Sequence, residues 1–109
     1  MAFVSQMAYK WIMKNLLIPA RIRDKIYERH RVVRREVEEC FARKRRPSLE
    51  DMRAEHTTSP PTEWFIAPTK GGRNLKVVYI YFSDSDTFVL KTAYEPDDNE
   101  GRIYDKEAK

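Results

Sequence analysis

Cysteine, glycine and long apolar runs are scarce in this sequence, and each scarcity excludes a class of protein. The 109 residues contain one cysteine, Cys40, which excludes an intrachain disulfide and a zinc site built from several cysteines. Because the sequence has only three glycines, it contains no glycine-rich phosphate-binding loop. No apolar run approaches the roughly 20 residues of a membrane span, and residues 11–18 are interrupted by Lys14 and Asn15. We therefore expect a cytoplasmic domain without a signal peptide, membrane contact, metal or cofactor.

Positive charge is concentrated in the first half of the chain. The net charge is +4, and residues 21–46 alone contain 11 basic and 5 acidic residues. Residues 56–109 are slightly acidic, with 7 basic and 9 acidic residues. This asymmetry favours a polyanion such as RNA, or an acidic protein, as the partner. The alternative is a solvated helix face with no partner.

The spacing of apolar residues predicts helices at the start of the chain. A short helix is expected over 5–17, limited by Pro19, because a proline disfavours the helical conformation of the preceding residue. A second helix is expected over 20–29. The clearest helix is 33–44, where an apolar stripe recurs at helical spacing; its members are Val33, Val37, Cys40 and Phe41.

Three later runs are typical of strands joined by tight turns. They are Glu63–Pro68, Asn74–Phe82 and Thr87–Tyr94, and 48–55 is weakly strand-like. A capped terminal helix or an extended tail is expected over 99–107. The predicted fold class is α+β: two or three N-terminal helices, a three- to four-stranded antiparallel meander and a short C-terminal helix. The predicted organisation is a helical extension over 1–19 followed by one domain over 20–109.

Three pieces of this order form a recognisable set. The first is a histidine turn followed by a Glu-rich helix. The second is an aromatic strand, a Gly-Arg turn and a hydrophobic strand. The third is the last strand with a glutamate and a tyrosine after it. In this sequence the pieces are His30 with Glu36–Phe41, Trp64–Thr69 with Gly72–Tyr79, and Val89–Tyr94 with Glu100 and Tyr104.

Together these pieces resemble the RelE/ParE-like toxin superfamily, and within it the BrnT-type ribonuclease toxins. The resemblance covers residues 20–106, but an acidic segment, 95–98, stands where the family has arginines.

The resemblance implies a RelE-like fold and a type II toxin that cleaves RNA without a metal and is held inactive by an antitoxin protein. Such cleavage needs a base for the 2′-hydroxyl, cations for the transition state and an acid for the leaving oxygen. The implied catalytic residues are Lys76, Lys91, Tyr94, His30 and Glu100, with His56 and Tyr104 as further candidates. The implied nucleic-acid-binding residues are Arg73, Arg34, Arg35, Arg31 and Arg102.

Each candidate also has a structural interpretation. His30 lies at a helix junction and can serve as a cap, Arg73 can be a solvated turn residue, and lysines on neighbouring strands, such as Lys76 and Lys91, can protect a sheet edge. The alternative function is therefore a catalytically inactive RelE-like interaction protein that binds nucleic acid or a protein through its basic helical face. An enzyme acting on a small phosphorylated substrate has no support in the residues.

Overall fold

The computed structural model describes residues 13–53 and 58–109. Within these residues the chain is an α+β structure with three helices and a five-stranded sheet, which confirms the predicted class. The elements in chain order are β1 (Leu16–Leu17), α1 (Ala20–His30), α2 (Arg34–Arg43), β2 (Leu49–Glu50), β3 (Thr62–Pro68), β4 (Asn74–Phe82), β5 (Thr87–Tyr94) and α3 (Asp98–Glu107).

The strand order in the sheet is β1-β5-β4-β3-β2. Strands β2 to β5 form the expected antiparallel meander, in which β4 is central. The prediction of a purely antiparallel sheet was wrong, because β1 pairs with β5 in the parallel direction. The sheet is therefore mixed. Its two edge strands are only two residues long, which limits pairing with other chains.

Residues 13–18, just before Pro19, do not form the end of the expected helix. Leu16 is buried and pairs with Phe88 of β5, and the backbone N–H of Phe88 donates to the carbonyl of Asn15 at 2.9 Å. The guanidinium of Arg34 donates to the carbonyls of Met13 and Leu16, at 2.8 Å each. The Met13 carbonyl also accepts from the Leu16 N–H at 3.3 Å, so residues 13–16 form a single turn and the chain is extended only from Leu16. The rest of the expected helix, residues 5–12, lies outside the described residues.

Helices α1 and α2 match the predicted ranges to within one residue and cover one face of the sheet. Ile22 and Ile26 of α1 and Val37 of α2 are buried in the core. Val33, the first member of the predicted stripe, is 39% exposed instead, because it is the N-cap of α2.

Helix α3 lies on the opposite face, against β3. The Tyr104 ring packs 5.6 Å from the Trp64 ring, measured between centroids. A capping box begins the helix: the Asp97 carboxylate accepts from the Glu100 N–H at 2.7 Å, and the Glu100 carboxylate accepts from the Asp97 N–H at 3.0 Å. The predicted terminal helix is thereby confirmed, and its start holds Glu100 above the end of the sheet.

Candidate functional site

Five of the ten predicted site residues meet at one end of the sheet. Their elements explain the convergence: Lys76 and Tyr94 are directly paired across β4 and β5, Glu100 lies in the first turn of α3, His30 ends α1, and Arg73 immediately precedes β4. We call these residues, His30, Arg73, Lys76, Tyr94 and Glu100, the strand-end cluster.

A shared carboxylate organises the centre of this cluster. One oxygen of Glu100 accepts from the Lys76 ammonium at 2.8 Å and from the Tyr94 hydroxyl at 2.8 Å. The ammonium also lies 4.4 Å from the centroid of the Trp64 ring, a cation–π distance. The Lys76 side chain is only 12% exposed, so its charge depends on these partners.

Burial and hydrogen bonding shift two pKa values here in opposite directions. Burial alone would raise the pKa of the Glu100 carboxyl. Hydrogen bonds from Lys76, the Asp97 backbone and Tyr94 outweigh burial and lower that pKa below its ordinary value. Burial, and then the bond to the Glu100 carboxylate, raises the pKa of the Tyr94 hydroxyl. At neutral pH the centre therefore holds an ionised Glu100 and a protonated Tyr94.

The imidazole of His30 completes the cluster from the side of α1. Its ring centroid lies 5.5 Å from that of Tyr94, with the planes tilted by 39°. His30 is half-buried, so its ring is accessible to a bound molecule and also next to the phenol. An imidazole and a protonated phenol thus lie side by side, and both are groups that can transfer protons.

Arg73 braces the end of α1. Its guanidinium donates to the carbonyls of His30 and, at 3.0 Å, of Arg31. It also pairs with Glu95 at 2.6 Å and with Glu36 at 3.4 Å. Burial would lower the pKa of this guanidinium, but the two carboxylates raise it. These contacts connect the β3–β4 turn, the α1–α2 junction and the end of β5, so Arg73 positions the backbone of His30.

The structure places the other five predicted residues outside the cluster. Lys91 is exposed at a bulge in β5, three residues or about 10 Å before Tyr94. Arg34 donates to the carbonyls that anchor β1 and pairs with Glu38 at 2.8 Å. Arg35 is 81% exposed and lies 3.8 Å from Glu39. Arg31 and Arg102 are also exposed. His56, the other histidine candidate, lies outside the described residues.

A groove of about 630 Å³ opens beside the cluster, between the β3–β4 turn and α3. Its floor includes Ile66 and Tyr104. Carboxylates outnumber guanidiniums along its walls; the charged residues are Glu95, Asp97, Asp98, Asp105, Arg73 and Arg102. The negative charge of this groove disfavours a phosphate backbone, so a polyanion would approach the cluster from the α1 side.

The sequence favours a core or interface position for Trp64, and the structure confirms that it is buried in the core. The contact of its ring with the Lys76 ammonium was not predicted. Trp64 pairs with Val78, two residues from Lys76 on the same face of the neighbouring strand. Such diagonal neighbours across two strands are within reach of a long or aromatic side chain. The register of β3 against β4 would have identified the contact between Trp64 and Lys76, but this register cannot be deduced from the sequence alone.

We expect the stabilisation from Glu100 to be lost in acid. The pKa of Glu100 is lower in the folded state than its ordinary value of 4.5, so its contribution is fully present above that value and is lost as the pH falls through the lowered folded-state pKa. Urea unfolding of the wild type and of Glu100→Gln, from about pH 7 to about pH 3, measures it. The difference in free energy of unfolding should shrink toward the acid end. A constant difference would contradict the assignment, because glutamine does not titrate.

No protein-family model matches the sequence, and a search of curated proteins finds no match. Over residues 13–53 and 58–109, no helix is long and apolar enough to cross a membrane. The same part of the chain holds no group of three or more histidine, cysteine or acidic side chains placed to bind a metal ion.

Proposed function

We propose that this protein is a metal-independent endoribonuclease of the type II toxin kind, acting in the cytoplasm and controlled by an antitoxin protein. One observation carries the proposal: His30 and Tyr94 lie ring to ring, 5.5 Å apart, beside the Lys76–Glu100 pair. This arrangement brings a base, an acid and a cation together. It agrees with the resemblance of residues 20–106 to the BrnT-type toxins.

The proposed reaction is an internal transfer at one phosphodiester. The His30 imidazole takes the proton from the ribose 2′-hydroxyl, and that oxygen attacks the adjacent phosphorus. The bond to the 5′-oxygen breaks, and the Tyr94 hydroxyl gives its proton to the leaving oxygen. The ammonium of Lys76 stabilises the extra negative charge of the transition state. The products are a 2′,3′-cyclic phosphate and a 5′-hydroxyl, so no water and no metal enters the step.

Burial and the bond to Glu100 raise the pKa of Tyr94, so the phenol carries at neutral pH the proton that the role of acid requires. The same shift makes the phenol a weaker proton donor, and its position beside His30 therefore carries the assignment. Glu100 supports both neighbours. It holds the phenol in place and keeps the Lys76 charge near the reacting phosphate. Arg73 acts through the backbone carbonyls of His30 and Arg31.

The test is cleavage of a labelled single-stranded RNA by the purified protein in excess EDTA. We expect fragments that end in a 2′,3′-cyclic phosphate, and growth arrest with fragmented RNA when the chain alone is induced in a bacterium. A His30→Ala preparation made in parallel controls for a contaminating nuclease, since a contaminant would cleave equally in both. Intact RNA with the wild type, in vitro and in the cell, would contradict the proposal.

A second function is favoured by the charges around the cluster. Both of its cations are already neutralised, Lys76 by Glu100 and Arg73 by Glu36 and Glu95, and the neighbouring groove is acidic. A catalytically inactive protein that binds nucleic acid or a protein partner through the exposed basic face of α1 and α2 agrees with these pairings. RNA affinity that falls steeply with salt, without any cleavage product, would establish this function instead.

A further inference from the structure

An arginine occupies a backbone position at the end of α1 that favours glycine. Arg31 has φ 55° and ψ 39°, the left-handed conformation, in which a Cβ atom is disfavoured. Its backbone ends the helix: the N–H of Arg31 donates to the carbonyl of Tyr27 at 2.9 Å, and the N–H of Val32 donates to that of Ile26 at 3.2 Å. Glycine is the usual residue at this point because it makes the same bonds without the steric penalty.

The side chain of Arg31 lies against an exposed aromatic ring. Its guanidinium carbon is 5.1 Å from the centroid of the Tyr27 ring, and Tyr27 is 50% exposed. A tyrosine this exposed adds little to the core, and the cap needs no side chain at all. Apart from their contact with each other, neither side chain is required by the cap or by the core. Strained backbone conformations of this kind cluster at functional positions.

The pair is adjacent to the proposed proton-transfer residues. Arg31 directly follows His30 in the chain. Tyr27 lies three positions before His30, so the side chains of Tyr27 and His30 are neighbours on α1. Further exposed basic residues of the same helix, among them Arg23 and Arg29, give this side a positive charge. The acidic groove lies instead against α3. A polyanion that reaches His30 from the α1 side therefore contacts Tyr27 and Arg31.

We propose that Tyr27 and Arg31 form a nucleotide subsite, in which the Tyr27 ring stacks on one base of a single-stranded RNA and the Arg31 guanidinium binds the neighbouring phosphate. Stacking on an aromatic ring is tolerant of base identity, and a guanidinium is suited to phosphate oxygens. The inference rests on the proposed function, and it adds the residues that hold the nucleotide beside the scissile bond.

The test measures RNA affinity and thermal stability in the same variants. Arg31→Gly and Tyr27→Leu are made in a Tyr94→Phe background so that the RNA stays intact. Binding of a fluorescein-labelled single-stranded RNA is followed by anisotropy at several salt concentrations. We expect each variant to bind about tenfold more weakly, and Arg31→Gly to reduce the salt slope by about one. The Tm of Arg31→Gly should stay the same or rise, because glycine suits its backbone.

Lys106→Ala is the matched control, since it removes one exposed positive charge from α3, on the opposite face of the sheet. It should change RNA affinity less than twofold. A labelled polyglutamate peptide distinguishes a nucleotide subsite from a general anion site. Arg31→Gly should weaken both ligands, whereas Tyr27→Leu should weaken only RNA.

Three results would overturn the inference. If the background protein binds RNA tightly and neither variant weakens that binding, the subsite is contradicted but the proposed function is not. No RNA binding by the background protein or by the wild type would remove both. A large fall in Tm for Arg31→Gly would show that the arginine is there to stabilise the fold.

Discussion

Replacing Tyr94 with phenylalanine is expected to slow RNA cleavage by about 10²–10⁴-fold, the usual contribution of one general acid. The change removes the proton donor but keeps the ring that packs beside His30. It leaves Lys76 bonded to Glu100, so the fold and the affinity for RNA should change little. Single-turnover cleavage of a labelled RNA measures the rate, and anisotropy measures the affinity.

Tyr81→Phe is the matched control for this prediction. The Tyr81 hydroxyl donates to the Asp86 carboxylate at 2.7 Å, near the opposite end of the same strand pair. The control thus removes an equivalent tyrosine–carboxylate bond away from the cluster, and its cleavage rate should equal that of the wild type. His30→Ala should cause a loss similar to that of Tyr94→Phe. Equal rates for Tyr94→Phe and Tyr81→Phe would exclude Tyr94 as the acid.

Lys76→Met is expected to lower the free energy of unfolding by about 2–3 kcal/mol. Methionine keeps the apolar stem against Trp64 but leaves the half-buried Glu100 carboxylate without a cation, and an unpaired charge of this kind is costly. For a domain of about 100 residues this corresponds to a fall in Tm of about 10 °C. Urea and thermal unfolding at neutral pH measure both quantities.

A double-mutant cycle separates the ion pair from packing. Glu100→Gln keeps the side-chain length and the capping position but removes the negative charge. The combined Lys76→Met and Glu100→Gln protein should lose less stability than the two single losses added together, by about 1–2 kcal/mol. Arg23→Met is the control, because its ion pair with Asp24 is exposed and should contribute less than about 1 kcal/mol. Strict additivity of the two single losses would contradict the pairing.

Local patterns in the sequence determined most of the secondary structure. The bounds of β4 and β5 were predicted to the residue, and α1 and α2 to within one residue, because the periodicity of buried side chains is a property of the segment itself. Of the weak strand expected over 48–55, residues 48–53 contain strand only at Leu49–Glu50, and residues 54 and 55 lie outside the described residues. Leu16–Leu17 joins the sheet although the local spacing predicts a helix. Both short strands form because a longer neighbouring strand offers unpaired backbone groups. They could not be predicted because a segment of two residues is too short to show a periodic pattern of apolar residues.

The sequence by itself thus determined the α+β class and the order of the elements after β1. It also supplied the candidate residues of the site. Only the tertiary structure decided which of those residues meet. The antiparallel register places Lys76 opposite Tyr94, and the capping box of α3 brings Glu100 to both. The bulge separates Lys91 from them. The physical reason is that register, bulges and helix docking depend on contacts between segments distant in the chain, which local patterns do not encode.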